Sequence, residues 1–250
     1  HSDKNVRLSV ILSIAKYNRE DLLPQVRQQA AHFQFALQEA CAHTLGQLQD
    51  EQAIPWLEKM TQSQYPAAAL AAQAALYSFG REKSLQAIEE AAQREDLFAI
   101  SALGVISEHP AALLKLLESS KLEVRLNATI ALLQQNHPAA LERISEILLR
   151  DRRDLAFTSV HSPGKTFKAW KVTPSASTLL KEDISAYRDH LDLKEALLRK
   201  VRLLSEPHFI ALAHQIFNRQ QNDLISITVE LLEEINNAEA IACLKQHQQQ

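Results

Sequence analysis

The pentapeptide His-Pro-Ala-Ala-Leu occurs twice in the chain, at residues 109–113 and again at residues 137–141. The segment 124–144, which contains the second copy, aligns without a gap to residues 6–26, and both segments begin with Val-Arg-Leu. The two segments are 118 residues apart, a distance that four units of about 30 residues would fill. The chain is therefore predicted to be built from copies of one structural unit.

Further copies of this unit lie between the two segments and near the end of the sequence. They are residues 37–57, residues 71–93, a shorter copy from residue 97, and residues 229–244. Each copy reads as a helix, a tight polar turn and a second helix with apolar residues at i, i+3, i+4 and i+7. Because one such hairpin cannot bury its apolar stripe alone, the hairpins are predicted to stack into a solenoid. His-Pro then lies at the turn, and Ala-Ala-Leu begins the following helix.

One column of the repeat marks where neighbouring helices should approach each other closely. It holds Val10, Cys41, Ala75, Ile100 and Ala128, and four residues further on stand Ile14, Leu45, Phe79, Gly104 and Leu132. Small and large residues are thus predicted to form a buried stripe. The two cysteines, Cys41 and Cys243, lie in such apolar patterns, so both are predicted to be reduced core residues.

These residues also carry a resemblance to a known family. The pattern Val-Arg-x-x-Ala-Ala-x-Ala-Leu-Gly-x-Leu, followed by Ala-Ile-x-x-Leu, resembles the HEAT repeat. The short form of the repeat is similar to that of bacterial HEAT-like and phycobilisome-lyase-type proteins. The resemblance extends over about residues 4–150 and, less closely, over 205–246. It implies an all-α solenoid of stacked helical hairpins that binds other proteins.

The repeat pattern breaks between residues 151 and 178, where β-branched and aromatic residues surround a Ser-Pro-Gly turn. This insertion is predicted to be a β-hairpin or an extended loop, with strands over residues 155–161 and 165–172. Insertions in solenoids usually lie on one face, which is often the functional one.

The predicted domain organisation has three parts. HEAT-like repeats occupy residues 3–150, the insertion occupies 151–178, and C-terminal helical repeats over 179–246 continue the same solenoid. After the insertion, helices are predicted over 181–204 and 207–219. Only 4 glycines and 8 prolines in 250 residues agree with this mainly helical chain.

The insertion contains a cluster of basic and aromatic side chains that has no equal in the rest of the sequence. Its members are Arg152, Arg153, Lys165, Phe167, Lys168, Trp170 and Lys171. Such a cluster could neutralise phosphates and stack a base, or act as an arm that grips a protein. The simpler interpretation is a strand that its lysines protect against edge pairing, with Trp170 packed on the solenoid. Gly164-Lys165-Thr166 resembles the end of a phosphate-binding loop, but Ser159 stands where that loop needs a glycine.

A second set of candidate residues occupies equivalent positions, assigned to the second helix of each unit. The pairs are Leu8/Leu12, Glu39/His43, Gln73/Tyr77, Phe98/Ala102 and Leu126/Ile130. If these pairs line the concave side, the groove is polar in the middle and apolar at its ends, which suits a peptide or helix partner. The alternative is that they pack between neighbouring repeats. Glu39 and His43 are predicted to form an i, i+4 pair on a helix surface.

No catalytic constellation is visible in the sequence. The ten histidines form no HxxxH or HExxH motif, and no Cys pair stands at ligand spacing, so no metal and no cofactor are expected. Asp189-His190 suggests acid–base chemistry, but without a nucleophile at a defined spacing it is most simply a helix surface. The chain is therefore predicted not to be an enzyme.

The predicted function is non-catalytic protein–protein interaction or scaffolding, through the solenoid groove and the inserted arm. One alternative is nucleic-acid binding through the insertion, as in HEAT-like DNA glycosylases. Residues 151–204 hold 11 Lys and Arg against 7 Asp and Glu, but the flanking sequence is acidic and counts against this alternative. A second alternative is a lyase-like or cofactor-handling role.

No apolar run approaches the roughly 20 residues of a membrane span, and a cytoplasmic location is expected.

Overall fold

The computed structural model of the protein describes most of the chain. The described residues are 3–32, 34–106, 109–150, 155–174 and 184–248. They form α-helices and one two-stranded antiparallel β-sheet. The predicted fold class, an all-α solenoid of helical hairpins with a β-hairpin insertion, is therefore confirmed.

The helices follow one another as the repeat pattern predicts. The first eight are α1 Lys4–Lys16, α2 Leu23–Ala30, α3 Phe35–Gln47, α4 Ile54–Met60, α5 Pro66–Ser78, α6 Glu82–Gln93, α7 Leu97–Ile106 and α8 Ala111–Leu116. Then come α9 Leu122–Gln134, α10 Ala139–Leu148, strand β1 Leu155–His161, strand β2 Lys168–Pro174, α11 Ile184–Leu204, α12 Glu206–Asn218, α13 Asn222–Ile235 and α14 Ala238–Gln248.

Contacts divide the chain into two compact units. Unit 1 comprises residues 1–116 together with 160–169, and unit 2 comprises residues 117–159 together with 170–250. The tip of the β-hairpin, residues 160–169, therefore belongs to unit 1, and its base, residues 155–159 and 170–174, belongs to unit 2.

The turn between paired helices has the same backbone conformation in several repeats. A residue with positive φ follows the first helix at Asn18 (51°), Gly80 (79°) and Asn136 (57°). One residue later, the N–H of Arg19 donates to the carbonyl of Ile14 at 3.0 Å, and the other turns repeat this bond. This Schellman arrangement pairs the last carbonyls of the helix. Asparagine tolerates the left-handed conformation well, which explains why the two aligned segments share it.

Both copies of the pentapeptide lie where the repeat pattern puts them. Helices α8 and α10 begin at Ala111 and Ala139, directly after His-Pro. The Nδ1 atom of His137 accepts a bond of 3.3 Å from the N–H of Ala139, which pairs one of the free donors at the start of the helix. The predicted position of the pentapeptide at a helix start is confirmed.

In unit 1, the first helices of successive hairpins pack against each other in a constant register. A Cβ atom added to Gly46 of α3 would lie 2.4 Å from the Cβ of Ala75 in α5, so this close approach requires glycine. The hydroxyl of Thr44 donates to the carbonyl of Ile11 in α1 at 3.2 Å. The hydroxyl of Ser78 in α5 donates to the carbonyl of Ala75 in its own helix at 2.7 Å, and it also lies 3.2 Å from the carbonyl of Gly46 in α3. Helices α3 and α5 therefore each direct a hydroxyl at the backbone of the first helix that precedes them.

The first member of the predicted close-approach column is an exception. Cys41, Ala75, Ile100 and Ala128 are buried, whereas the side chain of Val10 is 52% exposed. The prediction for Val10 is wrong because this column faces the preceding helix, and no described helix covers that side of α1.

Both cysteines lie in the core, as predicted. Cys41 and Cys243 are free thiols with no exposed surface. Burial raises the pKa of the Cys41 thiol to about 12, because an apolar environment disfavours the charged thiolate. Cys41 is therefore an unreactive core residue at neutral pH.

In unit 2, helix α11 packs against α10, α12 and α13. Its Lys194 has no exposed surface, yet its ammonium group is hydrogen-bonded. It donates to the carbonyl of Arg150 at 2.9 Å and to the carboxylate of Asp223 at 3.1 Å. A buried cation is tolerated when such partners replace water.

Strand β1 has the predicted bounds, but β2 begins at Lys168 and not at residue 165. Residues 162–167 form the turn instead. The N–H of Lys165 donates to the carbonyl of Ser162 at 2.8 Å, and the N–H of Ser162 donates to the carbonyl of Phe167 at 3.0 Å. Helix α11 ends at Leu204 as predicted, and its predicted start at residue 181 lies outside the described residues.

Candidate functional site

The candidate site is the β-hairpin over residues 155–174, called here the arm, with the helices on which it lies. In unit 1 the tip of the arm binds Glu39, a residue of α3 with no exposed surface. The Glu39 carboxylate accepts bonds from the hydroxyl of Ser162, the N–H of Gly164 at 2.8 Å and the hydroxyl of Thr166 at 2.5 Å. A weaker bond of 3.4 Å comes from the N–H of Thr166. The arm thus supplies the hydrogen-bond donors that a buried carboxylate needs.

The close approach of the tip to α3 depends on glycine. A Cβ atom added to Gly164 would lie 2.7 Å from the carbonyl oxygen of Ala36 and 2.8 Å from the Cβ of Glu39. The next residue, Lys165, has a φ of 59°, so the left-handed position of the turn is occupied by lysine. Gly164 is therefore required for space beside the helix.

The Gly-Lys-Thr fragment of the arm does bind an anionic group, but the group belongs to the chain itself. Its N–H and hydroxyl groups converge on Glu39 in the way that a phosphate-binding loop surrounds a phosphate. Ser101 of α7 adds a bond of 2.6 Å from its hydroxyl to the carbonyl of Lys168. Both contacts hold the tip on the first helices of unit 1.

The prediction that Glu39 and His43 lie on a helix surface is wrong for Glu39, because the arm covers this position. His43 is partly exposed. Burial lowers the pKa of the His43 ring below its usual range, although the Glu39 charge and a hydrogen bond to Gln47 act in the opposite direction. The ring is therefore biased toward its neutral form.

Of the other candidate groove residues of unit 1, Leu8 and Ala102 are buried, whereas Leu12 is partly exposed. Gln73, Tyr77 and Phe98 are intermediate in exposure. All of the predicted pairs lie on α1, α3, α5, α7 and α9, the helices that precede the turns, so their assignment to the second helix of each unit is wrong.

The basic and aromatic residues of the tip point in opposite directions. Lys165 and Lys168 are exposed, whereas Phe167 is only 8% exposed. The tip therefore presents ammonium groups outward and keeps its aromatic ring in the core of unit 1.

In unit 2 the base of the arm is held by an amide. The Asn127 side chain of α9 accepts a bond of 2.9 Å from the N–H of Trp170 and donates one of 2.7 Å to the carbonyl of the same residue. Glu123, one turn earlier, accepts a bond of 3.2 Å from the N–H of Val172. Trp170 is 7% exposed, in agreement with the interpretation that it packs on the solenoid.

Strand β1 is bound in the same unit by two side chains of α11. The Nδ1 atom of His190 accepts a bond of 3.1 Å from the N–H of Phe157, and the two rings stack with centroids 5.1 Å apart. Asp189 accepts bonds from the hydroxyl and, at 3.3 Å, the N–H of Ser159. The prediction that Asp189-His190 is helix surface is wrong for His190, which has no exposed surface.

The remaining candidates in the described part of unit 2 differ in their exposure. Leu126 is fully buried in unit 2, Ile130 is partly exposed and Lys171 is exposed. Arg152 and Arg153 lie outside the described residues.

Several residues that attach the arm to the helices were not among the candidates from sequence. Ser162, Thr166 and Asn127 form its anchoring bonds, and Asn127 had a recognisable signal: it is a polar residue inside the apolar stripe of its helix. Among the residues described above, no group of three or more His, Cys, Asp or Glu side chains could hold a metal ion. None of the described helices is long and apolar enough to cross a membrane.

Comparison with known proteins supports the nature of the repeat. A family model described as HEAT repeats matches residues 1–76, which include α1 to α4 and most of α5. No match was found among curated proteins. The stacked hairpins and this match together confirm the predicted resemblance to HEAT repeats over residues 1–76.

Proposed function

We propose that the protein is a non-catalytic binding or scaffolding module whose arm contacts an acidic surface of a protein partner through Lys165 and Lys168. HEAT repeats generally mediate protein interactions. The observation that carries the proposal is the orientation of the tip, which buries Phe167 and exposes both lysines. The partly exposed His43, Gln73, Tyr77 and Phe98 extend the proposed contact surface on unit 1.

The attachment of the tip to Glu39 favours binding because it orders the tip in advance. A loop that is already held by hydrogen bonds loses less conformational entropy when a partner binds. Exposed cations at the rim of an interface mainly raise the association rate and the specificity for acidic surfaces. Leu126 is fully buried and is therefore left out of the proposed surface, whereas Ile130 and Lys171 are kept in it for unit 2.

Nucleic-acid binding is the second candidate from sequence, and the burial of the aromatic rings weakens it. Base stacking needs an accessible ring, and both Phe167 and Trp170 are buried. Phosphate neutralisation by the lysines is the part of this alternative that the experiment below addresses. The cytoplasmic location expected from the sequence stays a prediction.

The proposal can be tested by affinity capture from a source lysate at about 50 and 200 mM salt, with and without nuclease. The baits are the full chain, the double variant Lys165→Glu/Lys168→Glu, and the matched control Lys59→Glu/Lys83→Glu, which reverses two exposed lysines elsewhere in unit 1. We expect a protein that resists nuclease and whose recovery falls about tenfold with the tip variant alone. Recovery of nucleic acid that disappears at the higher salt concentration would instead favour the alternative.

A further inference from the structure

Helices α5 and α7 of unit 1 carry no charged side chain. Neither Pro66–Ser78 nor Leu97–Ile106 contains Asp, Glu, Lys, Arg or His, although 23% of the whole chain is Asp, Glu, Lys or Arg. Burial accounts for most of these positions but not for all of them. In α7 the side chain of Val105 is 75% exposed, and that of Phe98 is partly exposed. Both are large apolar side chains that water can reach.

The arm is bound to α7 between these two side chains. The hydroxyl of Ser101 donates to the carbonyl of Lys168 at 2.6 Å. Ser101 lies one turn after Phe98 and one turn before Val105, and residues three or four positions apart share one face of a helix. An accessible apolar side chain therefore lies on each side of the point where the arm is held. The side chain of Lys168 is exposed at the same point.

The charges beside this apolar surface come from the arm. Residues 155–174 contain Lys165, Lys168 and Lys171 and no Asp or Glu. Glu39, which binds the tip, has no exposed surface, and its carboxylate is directed at the donors of Gly164 and Thr166. The arm therefore adds positive charge, and no carboxylate of its own, to the surface that holds Val105.

This combination distinguishes between the possible occupants. Two copies of the chain that met face to face here would bring the lysines of two arms together, which is unfavourable. A basic segment of another protein would be repelled in the same way. A segment that carries an apolar side chain next to carboxylates matches both features of the surface. Contiguous apolar side chains that are rimmed by polar groups often mark such an interaction site.

From this placement, we propose that the partner binds through an acidic segment whose one apolar side chain, of the size of leucine, packs on Phe98 and Val105. Carboxylates next to that side chain pair with Lys168. We call Phe98, Val105 and Lys168 the α7 patch. The proposal rests on the acidic partner proposed above and adds the contact that selects among acidic segments. Charge mainly raises the association rate, whereas apolar contact slows dissociation.

The test uses the full chain and two synthetic acidic peptides. One carries a single Leu among Glu and Ala residues, and in the other this Leu is replaced by Ala. Fluorescence anisotropy at about 50 mM salt should show that the Leu peptide binds about fivefold more tightly, because only its side chain buries apolar surface on the α7 patch. Val105→Ser should abolish this preference, so that both peptides bind equally.

A matched control separates the α7 patch from exposed apolar residues in general. Leu203 of α11 is also 75% exposed, and Leu203→Ser should keep the fivefold preference for the Leu peptide. Circular dichroism confirms that each variant is folded. Equal binding of the two peptides by the unmodified chain, or a preference that folded Val105→Ser retains, would overturn the proposal.

The lysine variant distinguishes failure of this proposal from failure of the function proposed above. Lys165→Glu/Lys168→Glu should weaken binding of both peptides about tenfold. If it does so while the Leu preference is absent, the acidic partner stands and the α7 patch is wrong. If neither peptide binds the unmodified chain, both proposals are wrong.

Other occupants of the α7 patch would also be recognised. A concentration-dependent dimer that Val105→Ser abolishes would overturn the proposal, because the occupant would then be a second copy of the chain. Vesicles of phosphatidylcholine and phosphatidylserine in equal amounts provide the last comparison. Binding to these vesicles that depends on Val105 and exceeds binding of the Leu peptide would overturn the proposal in favour of a membrane surface.

Discussion

The two ends of the arm are attached by different chemistry. In unit 1 a buried carboxylate, Glu39, accepts bonds from backbone and hydroxyl donors of the tip. In unit 2 a neutral amide, Asn127, both donates to and accepts from the backbone of Trp170. Both residues interrupt the apolar stripe of a first helix at a position that the arm covers.

The difference between the two attachments lies in what happens when a partner is lost. Hydrogen bonds to charged groups contribute about 1.5–3 kcal/mol each, whereas neutral ones contribute about 1 kcal/mol. A carboxylate has acceptors only, so a tip that covered Glu39 without offering donors would leave a buried anion that lacks partners. Leaving the neutral amide of Asn127 without its backbone partner costs less free energy. Unit 1 should therefore depend more strongly on the arm than unit 2 does.

The largest effect is expected from Glu39→Gln. The amide keeps the size of the side chain but presents an NH₂ group to the N–H and hydroxyl donors of the tip. We expect the free energy of unfolding to fall by about 3 kcal/mol, as followed by circular dichroism in urea. The control Glu58→Gln changes an exposed residue of α4 and should have an effect below about 0.5 kcal/mol. Equal losses for the two variants would contradict a special role of Glu39.

A smaller loss is expected from Gly164→Ala. The added Cβ meets the backbone of α3, which cannot move as a flexible side chain could, so we expect a loss of about 2 kcal/mol in the same measurement. Its neighbour supplies a control of opposite sign. Lys165→Gly relieves a left-handed φ and should raise the free energy of unfolding by about 0.5 kcal/mol. A stabilising effect of Gly164→Ala would show that the tip does not lie against α3.

The reciprocal exchange in unit 2, Asn127→Asp, should lower the free energy of unfolding by about 1.5 kcal/mol at neutral pH. The acid keeps an acceptor for the N–H of Trp170 but faces its carbonyl without a donor. Below the pKa of the new carboxyl group the proton restores a donor, so the loss should shrink as the pH falls. Urea unfolding at about pH 7 and pH 4.5 checks this trend. A loss that grows on acidification would contradict the assigned bonds.

The repeated elements could be predicted from the sequence because their signals are local. Three features depend only on residues that are close together in the sequence. They are the turns at Asn18 and Asn136, the helix starts after His-Pro, and the bounds of β1. The attachment of the arm could not, because Ser162 and Glu39 are 123 residues apart. A polar residue inside an apolar stripe indicates that a partner exists, but it does not identify the partner.

Repeat equivalence also has a physical limit, which Val10 illustrates. The pattern gives Val10 the same phase as Cys41, yet burial depends on the neighbouring helix and not on the residue itself. Similarly, the cluster of lysines and aromatic residues in the arm was recognisable, but its sequence does not reveal that Phe167 and Trp170 face inward. Local patterns predict helices and turns, whereas the surfaces that remain accessible depend on tertiary contacts.

The smallest expected effect concerns His43, which lies one turn from Glu39. Burial lowers the pKa of His43, so between that pKa and the ordinary value near 6.5 the unfolded chain binds more protons than the folded one. The stabilising contribution of the neutral ring is therefore complete above pH 6.5 and is lost as the pH falls through the lowered pKa. His43→Gln should flatten the pH dependence of unfolding between about pH 7 and 5, and the control His32→Gln, an exposed histidine, should not. Because the Glu39 charge acts against this shift, Glu39→Gln should make the pH dependence steeper. If it became flatter, Glu39 would not be acting on His43 through its charge.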